Sequence, residues 1–158
     1  MVLEHGRRRV VHWAISAGPP IAWVIQQLRE ATPFGLQPQY LFRDNDRIYG
    51  QGVGGFLKSC QIEEVRTAYG CPCQNPCVER VGGSLRHEVL DHVIVLNEAH
   101  LERLLKQYIE EYYPTERPHQ GLDGQTPEPS PRSLQPPSSV IAIPVLGGLH
   151  HHYVPVAA

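Results

Sequence analysis

The chain has 158 residues, of which 41% are hydrophobic, with 14 Lys+Arg against 16 Asp+Glu and a formal net charge of −2. That is enough apolar material for one packed core of ordinary domain size. No stretch approaches the ~18 consecutive apolar residues of a membrane-spanning helix, so a membrane protein of that kind is excluded. The near-neutral balance excludes a protein that coats nucleic acid nonspecifically, so any phosphate-binding surface must be local.

The basic run Arg7-Arg8-Arg9 leads into Val10 to Ile15, which reads as a strand. No long apolar run or small-residue cleavage site follows the arginines, which points to the cytoplasm. The bunched cysteines Cys60, Cys71, Cys73 and Cys77 agree with a reducing compartment. After the turn Gly18-Pro19-Pro20, apolar residues recur at helical spacing from Ile21 to Ala31. Tyr40-Leu41-Phe42 reads as a buried strand that ends in Arg43-Asp44-Asn45-Asp46 and so delivers a carboxylate at its C-terminal end. Ile48 to Cys60 reads as a weak helix, loosened by Gly50, Gly52, Gly54 and Gly55, and Ile62 to Ala68 as a strand.

Two further helices are expected, over Cys77 to Leu90 and from an Asn97 N-cap to Tyr113. Most of the 15 prolines lie at or beyond Pro114. The expected division is therefore a folded core over 1–125, a Pro/Ser-rich linker over 126–139 that does not pack, and a small β-hairpin tail over 140–158 around Gly147-Gly148. His150-His151-His152 falls in that hairpin.

Asp44 at a strand end and Glu79 in the first turns of a helix are the candidate metal ligands. Ligands of open α/β sheets bind beyond the carboxyl ends of the strands, and two carboxylates there suit Mg²⁺ or Mn²⁺ together with phosphate oxygens. Asp46 reads either as a further acid of that site or as a helix-capping residue. Gln74 and Asn75 precede the helix expected over Cys77 to Leu90 as candidate caps, and Arg80 and Arg86 lie on it as phosphate contacts or as a solvated face. The cysteine spacing C-x-C-x₃-C is too tight for the usual zinc pattern.

Pro72-Cys73-Gln74-Asn75-Pro76-Cys77-Val78-Glu79-Arg80 resembles the P-x-Q-N-x-x-x-E-R segment of the integrase-like (DDE) catalytic core of bacterial insertion-sequence transposases. Arg43-Asp44-Asn45-Asp46 with Tyr49-Gly50 resembles that family's second-aspartate motif. Arg117-Pro118-His119, Leu122 and Thr126-Pro127 resemble its R-P-H-x-x-L…T-P signature. The resemblance implies an α/β, RNase H-like mixed sheet flanked by helices. It also implies a two-metal Mg²⁺ or Mn²⁺ site acting on DNA phosphodiesters, with Asp44 and Glu79 as catalytic and metal-binding acids and Gln74, Asn75, Arg80 and Arg86 towards DNA.

The family's first aspartate has no counterpart, since no Asp precedes Asp44. The expectation is a core without its first strands, inactive alone in DNA cleavage and strand transfer. The alternative is a non-catalytic remnant that binds DNA or a full-length transposase. The expected partners are DNA, further copies of the chain or a full-length transposase, at the bacterial nucleoid.

Overall fold

The computed structural model describes residues 1–33, 38–129 and 139–156. The chain forms two compact units, Met1–Leu3 with Val11–Val81 and Glu4–Val10 with Gly82–Ala158.

In the first unit, strands β1 (Val2–Leu3) and β2 (Val10–His12) form a two-stranded sheet. The expected strand from Val10 to Ile15 is thus cut to three residues. Helix α1 (Ile21–Ala31) follows Pro20, whose fixed φ suits a helix start, and buries Val24 and Leu28. Strand β3 (Tyr40–Arg43) pairs in parallel with β4 (Glu63–Arg66), with Leu41 opposite Glu64 and Arg43 opposite Arg66. Helix α2 (Gly50–Ser59) makes the crossover. Val24, Leu28, Val53, Leu57 and Ile62 are the buried centre, with Leu41 and Phe56 packed against it.

Two of the four glycines of α2, expected to loosen it, have a packing role. A Cβ on Gly52 would stand 3.2 Å from Ile21 Cγ2 and 3.4 Å from Ile25 Cδ1. Gly50 takes φ +22°, and a Cβ there would lie 2.5 Å from Ile21 Cδ1. Small residues here let α1 and α2 approach closely, which offsets part of the helix-propensity cost of ~1 kcal/mol per glycine.

Two sequence expectations are corrected in this unit. The strand at Tyr40 is not buried throughout, because Tyr40 and Phe42 share a face that stays 44% and 46% exposed while Leu41 and Arg43 turn inward. The described strands also form three separate two-stranded sheets rather than one mixed sheet. The fold is α/β with small sheets, since β2 is only three residues long and pairs with β1, and β3 pairs only with β4.

Helix α3 (Pro76–Glu88) runs across the point where the two units divide, between Val81 and Gly82. In the second unit, α4 (Glu98–Lys106) starts as expected at Asn97, whose side chain accepts from the His100 backbone N–H. The long helix expected up to Tyr113 is continuous through α4, a π-helical turn over Gln107–Tyr112 and the short α5 (Tyr113–Thr115), so only the change of winding is new. Pro114 accounts for the widened turn, because it has no N–H for the carbonyl four residues back and its ring crowds that position. The widened turn brings the Tyr108 ring within 5.7 Å of Tyr112 and 6.0 Å of Tyr113, centroid to centroid.

Thr126 to Glu128, expected to open an unpacked linker, are held in place. Arg7 donates to the carbonyls of Thr126 and Pro127, at 3.0 and 3.1 Å, and the Glu128 N–H donates to Pro114 O. The linker residues 130–138 lie outside the described residues. The hairpin of β5 (Ser139–Val145) and β6 (His150–Val156) is antiparallel, turning at Gly147 and Gly148 with positive φ. Its base is docked within the second unit. His150 stacks on Tyr112 at 4.2 Å and donates through Nε2 to Glu88 O, and His152 Nδ1 lies 2.9 Å from Glu116 Oε1.

Candidate active site

Asp44 is exposed immediately beyond the C-terminal end of β3, where the parallel β3–α2–β4 arrangement leaves strand-end positions open to a ligand. The peptide that carries it is fixed by its neighbour. Arg43 is 5% exposed, an uncommon state for arginine, and its Nη1 donates to the Asp44 carbonyl at 2.9 Å. The same guanidinium donates through Nε and Nη2 to Glu64 Oε1, both at 2.6 Å, and lies 4.8 Å above the Tyr49 ring.

Glu64 bridges Arg43 to Arg66, which stands opposite it in the register, so two like charges on neighbouring strands share one carboxylate. Burial pushes the Glu64 carboxyl up, but hydrogen bonds and charge from Arg66 and Arg43 outweigh it and hold it below the usual range. Burial, and after it the charge of Asp44, pushes the Tyr49 phenol up. Asp46 has the capping role: its Oδ1 accepts from the Ile48 N–H at 3.1 Å, at the start of the 3₁₀ turn Arg47–Tyr49.

Glu79 is exposed in the first turn of α3, where a carboxylate is favoured by the helix dipole. Gln74 ties down the loop after β4, its Oε1 accepting from the Ala68 N–H at 2.7 Å. The Asn75 carbonyl accepts from the Glu79 N–H, while its buried side-chain Oδ1 has no hydrogen-bond partner among the described residues. Neither side chain therefore caps α3 in the manner the sequence suggested. Arg80 and Arg86 are exposed, and Arg86 lies 3.6 Å from Asp91.

Among the described residues no group of three or more His, Cys, Asp or Glu side chains is arranged to hold a metal ion. This covers Asp44 and Glu79 as well as Cys71, Cys73 and Cys77. The donor set therefore does not by itself fit the metal pair that the resemblance implies.

The second unit holds a network that the sequence did not announce. Arg117 donates through Nε and Nη2 to both Glu88 carboxylate oxygens, at 2.7 to 3.0 Å, and through Nη2 to Ser84 Oγ at 2.7 Å. The Tyr108 hydroxyl donates to Glu88 Oε2 at 2.6 Å. Burial alone would raise the Glu88 carboxyl, but the bonds from Arg117 and Tyr108 hold it below its ordinary value. Burial, reinforced by Glu88, pushes the Tyr108 phenol strongly up. The signal present in the sequence is Arg117 of the R-P-H motif, together with Ser84 and Glu88 one helical turn apart on the same face of α3.

Residues 60–127 match the family model described as an integrase core domain. Over this segment, less than half of the chain, the sequence is similar to the integrase core domain family. The match takes in Gln74, Asn75, Glu79, Arg80 and Arg86, together with the Glu88–Arg117 network, and leaves Asp44 outside it. No curated protein and no solved structure matches the chain. No described helix is long and apolar enough to cross a membrane.

Proposed function

We propose that the chain serves DNA integration and transposition, with Asp44 and Glu79 as two acids of a phosphodiester-processing centre of RNase H-like type. The observation that carries this reading is the integrase-core match, which spans Glu79 in the first turn of α3. The parallel pair β3 and β4 supports it, because Asp44 stands at a strand end. Gln74, Asn75, Arg80 and Arg86 are the proposed DNA contacts, the two arginines through phosphates. Mg²⁺ or Mn²⁺ is the metal that the family resemblance implies for Asp44 and Glu79. As the described donors do not complete such a site, no chemical step is assigned to it.

On this reading the chain alone performs little or no strand transfer, and further carboxylates come from another copy or from a full-length transposase on cellular DNA in the cytoplasm. The lack of a three-donor group among the described residues also favours the second reading, a non-catalytic DNA-binding or transposase-binding protein. Both are tested with purified protein and a labelled DNA duplex. Salt-sensitive binding weakened by Arg80→Ala/Arg86→Ala, with no Mg²⁺-dependent cleavage, is the expected result. Robust cleavage abolished by Glu79→Gln would show that the chain is catalytically self-sufficient. Absence of DNA binding at low salt would remove the proposed contacts altogether.

A further inference from the structure

Helix α3 carries the adjacent pair Gly82-Gly83 in its interior, between the buried residues Val81 and Ser84. Glycine is the poorest helix former after proline, so two in succession weaken the helix at that point. Close packing does not account for them: a Cβ on either glycine would meet nothing within 4 Å. Backbone conformation does not either, since neither takes the positive φ that favours glycine. Gly50 and Gly52 of α2 differ on this point, because Ile21 fills the space beside them.

The pair stands where the two compact units divide, between Val81 and Gly82. After it, α3 is clamped: Arg117 binds Ser84 and Glu88, Tyr108 binds Glu88, and Val89 is fully buried. Before it, Val81 is buried in the first unit, and the turn that carries Glu79 is exposed. The other adjacent pair, Gly54-Gly55 of α2, lies wholly inside the first unit, and a Cβ on Gly54 would stand 3.8 Å from Glu64 Oε2.

We infer that Gly82-Gly83 is a hinge at which α3 opens and bends, separating the turn that carries Glu79 from the clamped turn that carries Ser84 and Glu88. Sharp helix bends without proline concentrate at glycine and serine pairs, and Gly82-Gly83-Ser84 is such a run. The backbone bonds that cross it run from each N–H to the carbonyl four residues back, Ser84 to Arg80, Leu85 to Val81 and Arg86 to Gly82. No side chain at 82 or 83 shields those bonds from water, and glycine regains more backbone freedom than any other residue when they open. The side-chain clamp on Ser84 and Glu88 need not break for this to happen, so the opening stays local. The hinge acts on the chain by itself and does not depend on DNA binding.

Native-state hydrogen exchange of the whole chain, read residue by residue by NMR, tests this. The amides of Ser84, Leu85 and Arg86 are expected to be at least about tenfold less protected than that of Val89, whose N–H donates to Leu85 O at 3.1 Å beyond the pair. A helix ordinarily frays from its ends, so an interior less protected than the last turn reports a hinge. In Gly82→Ala/Gly83→Ala, which the open space accommodates, that difference is expected to vanish. Ser84, Leu85 and Arg86 amides as protected as Val89 in the unsubstituted chain overturn the inference, as does a difference that persists in the double alanine variant.

Discussion

Helix α3 carries two glutamates in opposite circumstances. Glu79, in the first unit, is exposed in the opening turn, whereas Glu88, in the second, is held by the Tyr108 hydroxyl and by the Arg117 guanidinium that also reaches Ser84. The first has its lone pairs available to a ligand, and the second has them engaged within the fold. A family motif therefore mixes two kinds of residue, and hydrogen-bond partners distinguish them where residue type does not. Arg43 shows the same division one residue from Asp44: the arginine is locked between Glu64 and Tyr49, and the acid beside it is left open.

The sharpest way to break this comparison is Arg117→Ala. It leaves a part-buried carboxylate without its cation and should cost about 2–3 kcal/mol, a fall in Tm on the order of 5–10 °C by calorimetry. Next in size is Tyr108→Phe, which removes one hydrogen bond to a charged group at a fully buried ring. Chemical denaturation should show a loss of about 1.5–2 kcal/mol. Glu79→Gln should sit at the other extreme, changing stability by less than about 0.5 kcal/mol, as expected for an exposed side chain. If Glu79→Gln destabilises as much as Arg117→Ala, the two glutamates do not differ as described.

Acid titration sharpens the same contrast. Glu64 and Glu88 both have folded-state values below the ordinary 4.5. Each therefore contributes stability that is fully present above about pH 5 and is lost as the pH falls below ~4.5 through the depressed folded values. Arg117→Ala should flatten the part of that loss due to Glu88, measured as stability against pH from about 6 down to 3.

Much of the local structure is legible in the sequence. The helical spacing from Ile21 to Ala31, the Asn97 cap and the Gly147-Gly148 turn all depend on near neighbours, and each stands where the sequence places it. The misses share a different cause. The π-helical turn before Pro114, the close approach of α1 to Gly52 and the capture of Thr126 and Pro127 by Arg7 depend on contacts distant in sequence or on backbone accommodation. The basic run at Arg7 reads as a charged flank, yet one of its members is a clamp.

At the candidate site, the residue types and their order in Asp44, Glu79 and the Gln74-Asn75 turn were determined by the amino-acid string, because motif chemistry needs only identity and spacing. Which charges remain available was decided by tertiary structure alone. A guanidinium engaged by a carboxylate and a carbonyl, as in Arg43, or by a carboxylate and a hydroxyl, as in Arg117, is the same in sequence as one facing solvent, as in Arg80. Only the placement of its partners, brought together from far along the chain, makes one a framework residue and leaves the other exposed to a ligand.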